Sequence, residues 1–131
     1  YLYLDMKKFI LMMLGFLGLF PACRAQDNGV RVLTPQEFVE AVRNDSTAVV
    51  LDVRKPSEFA EGHLPHAVNI DWLDSSRFAE AIRNLDKKHT YYIYCRSGRR
   101  SNAAAEMMKK AGFSVYDMKG GYLAYSRIFG E

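Results

Sequence analysis

The sequence is poor in the residues that staple or punctuate small folds: 131 residues hold two cysteines, four prolines and one tryptophan. Two cysteines cannot build a disulfide framework, and the prolines with nine glycines are too few for a collagen-like or low-complexity chain. The longest charge-free apolar block, residues 9–20, is shorter than the about 20 residues that cross a bilayer. One-signed charge is lacking too, since 18 Lys and Arg stand against 15 Asp and Glu for a net of +3. Beyond residue 26 there are no internal repeats. What the chain does have is apolar substance, 49% hydrophobic and 13% aromatic, which makes one ordinary domain with a real core and excludes a disordered polymer.

The first 25 residues differ in kind from the rest. Met6-Lys7-Lys8 is followed by the apolar block and then by Pro21-Ala22-Cys23-Arg24-Ala25. A basic start, an apolar centre and a small-residue exit are the parts of a secretory signal peptide, so residues 1–25 are expected to be upstream residues plus a leader, and 26–131 the domain. Two exits are open. Cleavage before Gln26 gives a soluble exported protein, whereas Phe20-Pro21-Ala22-Cys23 resembles a loose bacterial lipoprotein box that lipidates Cys23. Either way the protein is expected in the periplasm or anchored to the cell envelope, with Cys95 as the only thiol of the domain. Lys7, Lys8 and Arg24 supply three of the basic residues and Asp5 one of the acidic ones, so the domain itself carries only +1. That balance gives no reason to expect a nucleic-acid partner.

From residue 26 on, strand-like and helix-like segments alternate. Thr34-Pro35-Gln36-Glu37 combines an N-cap, a proline at the first helical position and a capping-box glutamate. Phe38, Ala41 and Val42 then fall on one helical face. Residues 48–53 form a nearly unbroken β-branched run, the pattern of a strand buried on both faces. A shorter strand is predicted at 67–70, a helix at 77–85, a strand at 90–94, a helix from about 102 to 111, a strand at 114–118 and a helix at 121–129. This alternation predicts an α/β fold with a mostly parallel sheet of about five strands and helices on both faces. Ligands in such folds bind where strands end and helices begin.

One strand end is chemically distinctive. Residues 90–94 run straight into Cys95-Arg96-Ser97-Gly98-Arg99-Arg100-Ser101. A cysteine there meets loop amides, the positive end of a helix and three arginines, all of which favour thiolate, the nucleophilic form. Gly98 suits a loop that curls around an anion, because glycine accepts left-handed dihedrals. A buried inert cysteine is the alternative, but a core position would not be followed by Arg-Ser-Gly-Arg-Arg.

With that loop in view, the chain resembles the single-domain rhodanese-like proteins. Leu51-Asp52-Val53-Arg54 with Ser57-Glu58-Phe59 and Gly62-His63-Leu64-Pro65-His66-Ala67-Val68-Asn69-Ile70 is similar to their first signature. Residues 94–101 are similar to the active-site loop, and Gly112-Phe113 with Gly120-Gly121 to the closing pattern. The resemblance implies sulfur transfer through a Cys95 persulfide, with Arg96, Ser97, Gly98, Arg99, Arg100 and Ser101 holding an anionic, thiosulfate-like donor and a thiol or other thiophilic acceptor completing the cycle. No cluster in the chain suggests an organic cofactor or a metal, and a monomer is expected. Asp52 and Arg54 are read as a supporting polar framework, Glu58 and Glu61 as a solvated helix face, and Met107 and Met108 as core or near-core. His63, His66 and His89 have no metal-site spacing; His66 stands where the family usually has glycine, and Tyr125 where it often has tryptophan. The loop of six residues, 95–100, fits sulfur chemistry in the family, whereas the related phosphatase and arsenate-reductase loops are one residue longer and place arginine where Ser101 stands. A noncatalytic anion- or partner-binding module is the alternative from another class.

Overall fold

A computed structural model describes residues 28–130, so the expected leader and Cys23 lie outside the described residues. Ten elements follow in order: β1 (Arg31–Leu33), α1 (Pro35–Asn44), β2 (Ala48–Asp52), α2 (Pro56–Glu61), β3 (Val68–Asn69), α3 (Ser75–Arg83), β4 (Thr90–Tyr94), α4 (Arg99–Lys110), β5 (Ser114–Met118) and α5 (Gly121–Phe129). The strands form one sheet in the order β1-β5-β4-β2-β3, and every pairing is parallel. The fold class is therefore the α/β arrangement that the alternation predicts, with β4 in the middle.

Local chemistry sets most boundaries. Thr34 caps α1 as its sequence requires: Glu37 N–H donates to the Thr34 hydroxyl at 3.2 Å while Thr34 N–H donates to the Glu37 carboxylate at 2.9 Å. Asp74 accepts from Arg77 N–H and starts α3 at Ser75, two residues before the predicted start at 77. The strand predicted at 67–70 shrinks to Val68–Asn69, because Ala67 N–H is used in a turn to the Leu64 carbonyl. β1 has no counterpart in the predicted segments. It is three residues long and joins the sheet edge only through β5, with Val32 opposite Asp117.

The sheet has a core on each side, as strands buried on both faces require. Tyr91, Ile93 and Cys95 face Phe78 and Ile82 of α3 and Ala104, Ala105 and Met108 of α4. Tyr92 and Tyr94, turned the other way, meet Phe38 of α1, Leu64 and Met118, with Tyr122 and Tyr125 of α5 beside them. The alanines of α4 let that helix lie close on the sheet. Met108 is fully buried, but Met107 is 37% exposed and does not belong to the core as the sequence reading has it.

Candidate active site

Because β4 lies between β2 and β5, its carboxyl end opens at the centre of the sheet. Cys95 is the next residue, and strand alternation turns it to the same side as Ile93, under α4. The chain then reverses at Gly98, whose φ of +107° belongs to a region that favours glycine. Gly98 serves as the N-cap of α4, so the helix starts at Arg99 rather than near 102. The Asn102 N–H and the Ser101 hydroxyl both donate to the Gly98 carbonyl, at 3.0 and 3.2 Å, and close the first turn. Within this turn the Gly98 N–H donates to Cys95 Sγ at 3.1 Å. The sulfur thus sits at the positive end of a 12-residue helix with an amide already aimed at it.

The other wall of the loop is the start of α5. Tyr122 N–H donates to the Cys95 carbonyl at 2.8 Å and Leu123 N–H to the Arg96 carbonyl at 3.0 Å. Gly121, at φ +59°, permits this approach: a Cβ there would lie 2.5 Å from both carbonyl oxygens. The Gly120-Gly121 pair of the closing pattern is therefore a backbone clamp on the cysteine loop.

Behind the loop lies a buried polar framework. Asp52, fully buried, accepts from Arg54 Nε at 2.9 Å, from Arg54 Nη2 at 2.6 Å and from the Tyr94 hydroxyl at 2.6 Å. Arg54 also donates to the Gly62 carbonyl at 2.6 Å and lies over the Tyr122 ring, 4.4 Å from its centroid. Tyr94 accepts from Leu64 N–H, and burial pushes its hydroxyl well above the ordinary tyrosine range. These bonds tie the end of β2, the turn after α2 and α5 into one unit, and they give Asp52 and Arg54 the framework position that the sequence reading assigns to them.

Arg100 and Glu58 change the picture of the charges. Two bonds of 2.8 and 3.0 Å join the guanidinium to the carboxylate, each side chain being about one-quarter exposed or less. The sequence reading makes Glu58 part of a solvated face. It is instead a resident partner of the active-site loop, and the hydrogen bonds from Arg100 hold its carboxyl down at about 2. Helical periodicity could not show this, because the partner comes from another element. Glu61 is exposed, in keeping with that reading.

The remaining loop residues separate into two groups. Arg96, Ser97 and Arg99 are exposed, and the two guanidiniums have no carboxylate partner among the described residues. Ser101 is fully buried, and its hydroxyl serves the loop's own backbone rather than the loop's mouth. Below it lies Asp117, a buried carboxyl of β5 that the sequence reading does not single out. His63 stacks on Phe59 at 3.8 Å with Nδ1 3.0 Å from that residue's carbonyl oxygen, a structural placement. A cavity of about 150 Å³ adjoins the loop, lined by Arg54, Glu58, Gly62, Arg96, Tyr122 and Leu123 among others. A larger apolar cavity of about 340 Å³, bordered by Phe38, Leu64, His66 and Tyr125, touches no loop residue, so its size does not make it the site of chemistry.

Comparison with known proteins bears on the family and the fold. The family pattern described as the Rhodanese-like domain matches residues 34–128. The chain is 31% identical over 96 residues to the putative sulfurtransferase YtwF of Bacillus subtilis, covering 73% of this chain and 90% of that protein. It is 36% identical over 91 residues to the thiosulfate sulfurtransferase GlpE of Pseudomonas putida, covering 69% and 79% respectively. Some relatives carry the matching stretch within a longer chain: the tRNA uridine(34) hydroxylase of Pelagibacter ubique is 36% identical over 83 residues, which span 63% of this chain and 28% of that protein. Among solved structures, a rhodanese-related protein from Thermoplasma volcanium superposes with a TM-score of 0.68 at 27% identity, covering 77% of this chain and 95% of that one.

Proposed function

The chain belongs to the rhodanese-like domain family, and from that premise we propose that it is a sulfurtransferase whose Cys95 carries the transferred sulfur as a persulfide. The observation that carries this reading is the placement of Cys95: at the carboxyl end of the central strand, with the Gly98 N–H 3.1 Å from its sulfur. An amide and a helix N-terminus directed at sulfur favour the anion, and a thiolate needs no separate base to attack.

The donor is an anionic sulfane such as thiosulfate. Cys95 Sγ attacks the outer sulfur; a new S–S bond forms, the bond within thiosulfate breaks, and sulfite leaves with the electron pair. A thiophilic acceptor, a thiolate or cyanide, then takes the outer sulfur and returns Cys95 as thiolate. Arg96 and Arg99 supply exposed positive charge for the incoming anion. Arg100 acts differently from the other two, because its charge is shared with Glu58. The basic start, apolar block and small-residue exit before residue 26 support export, as a soluble periplasmic protein or one held at the envelope through Cys23. The domain acts as a monomer.

Thiosulfate-to-cyanide transfer and intact mass after thiosulfate treatment test the reading together. The expected result is turnover and the gain of one sulfur on Cys95, both absent from Cys95→Ser. A wild-type protein that neither turns over nor gains mass sinks the enzyme reading and leaves an anion-binding module.

A further inference from the structure

We propose that Asp117 is a positioning residue for Cys95, acting through Ser101 and the Gly98 amide and setting the reactivity of the thiol according to whether its carboxyl is protonated. The inference rests on Cys95 being the reactive thiol of the sulfur transfer proposed above. Asp117 is on β5, only 2% exposed, beneath the first turn of α4. Its Oδ2 accepts from Asn102 Nδ2 at 3.3 Å, while its Oδ1 is buried without a hydrogen-bond partner. A buried carboxylate with an orphaned oxygen is costly, and a proton on that oxygen removes the charge and makes it a donor to a neighbouring acceptor.

Among the described residues, no cation forms an ion pair with it. On β1, Arg31 is turned to Tyr116 and Ser114. On α4, Arg99 is exposed, Arg100 is committed to Glu58, Lys109 donates to the Gly29 carbonyl, and Glu106 pairs with Lys110. On β4 the titratable neighbours along the same face are Tyr91, whose hydroxyl donates to the Asp86 carbonyl, and Cys95, one on either side of Ile93, which lies opposite Asp117. Lys119, two residues on, is exposed. The groups that touch the carboxyl are neutral, Ser101, Asn102 and the Met118 backbone amide, and burial outweighs their help, raising it to about 6.

Ser101 is where this carboxyl meets the loop. Its hydroxyl has one proton to give, and its two candidate acceptors are the Gly98 carbonyl at 3.2 Å and the neighbouring Asp117 carboxyl. With Asp117 protonated, the carboxyl donates to Ser101 Oγ and the hydroxyl proton is free for the Gly98 carbonyl. With Asp117 ionised, after its proton has gone to solvent, the hydroxyl proton turns to the carboxylate and Gly98 loses that tie. Gly98 is also the residue whose N–H faces Cys95 Sγ. Ionisation therefore loosens the amide that holds the sulfur and adds a negative charge on the same side of the sheet, and both effects oppose the thiolate.

The pH profile of Cys95 alkylation by neutral iodoacetamide, which needs no sulfur donor, tests this. In the wild type, the logarithm of the rate should carry a bend near pH 6 besides the one at the thiol's own titration, whereas Asp117→Asn should keep only the thiol's bend, moved to lower pH by about half a unit, a roughly threefold change in its acid constant, as expected for one charge removed within a partly buried site. Two bends in Asp117→Asn, or only one in the wild type with the thiol's bend at the same pH in both proteins, overturns the proposal. Should the variant not fold, carbon-detected NMR of the wild-type Asp117 carboxyl together with the Gly98 amide decides: the two should titrate together near pH 6, and a Gly98 amide indifferent to that titration overturns it. Absence of sulfur loading with the alkylation bend intact sinks the sulfur-transfer reading but supports the role of Asp117.

Discussion

Glu58 and Arg100, 42 positions apart in the chain, meet through two hydrogen bonds of 2.8 and 3.0 Å beside the cysteine loop. The pair couples the short helix α2 to the first turn of α4, and with the exposed Glu61 it sets carboxylates beside a site that also carries the exposed Arg96 and Arg99. Under the proposed sulfur transfer, donor binding should depend on how tightly Glu58 holds Arg100 as well as on the number of arginines.

Replacing Glu58 with Gln should lower stability near neutral pH by about 1–2 kcal/mol, a value discounted for partial exposure. The carboxyl is depressed in the folded protein, so its contribution is present above the unfolded value of 4.5 and is lost as pH falls toward about 2. Urea denaturation of wild type and Glu58→Gln should therefore converge across that window. The same variant should lower KM for thiosulfate, since Arg100 is released; a higher KM would show that the pair positions the loop more than it masks charge.

Gly121→Ala should destabilise the fold by about 3 kcal/mol, from the left-handed backbone and from overpacking against two carbonyl oxygens. The clash falls on the Cys95 and Arg96 carbonyls. Thermal melting measures the first effect. Slower gain of sulfur mass on Cys95, measured well below the variant's melting point, would show that the clamp shapes the site.

His66 holds φ at +61° without being glycine. His66→Gly removes that strain at the expense of extra freedom in the unfolded chain, so a net gain of about 0.5–1 kcal/mol is expected. Chemical denaturation checks it; a loss of stability would mean that the imidazole makes a compensating contribution at the rim of the apolar cavity.

Asp117 has the opposite sign to Glu58. Its carboxyl is raised from 3.8 to about 6 in the fold, so its ionisation opposes folding, a penalty that grows from about pH 4 and is complete above about pH 6. Asp117→Asn should match the wild type near pH 4 and exceed it by about 1–3 kcal/mol at pH 7.5. Parallel stability curves for the two proteins across this range would show that the carboxyl does not titrate there.

Much of the architecture is written locally. The Thr34 capping box, the runs at Thr90–Tyr94 and Ser114–Met118 and the helix at Gly121–Phe129 all stand where periodicity and capping chemistry put them, because neighbours in sequence decide those features. The start of α4 was less legible. Arg99, Arg100 and Ser101 look like loop, but Gly98 closes the turn three residues earlier.

By itself the sequence determined the α/β alternation, the family and the position of its domain cysteine at a strand end beside three arginines, all matters of order and spacing. Only the tertiary structure decided what those groups do to one another. It brought Glu58 onto Arg100, turned Ser101 inward over Asp117 and pressed Gly121 against the Cys95 carbonyl. Each of these contacts joins separate elements across the sheet's end, and the sign and strength of an electrostatic or steric interaction depend on distance and burial, which sequence separation does not encode.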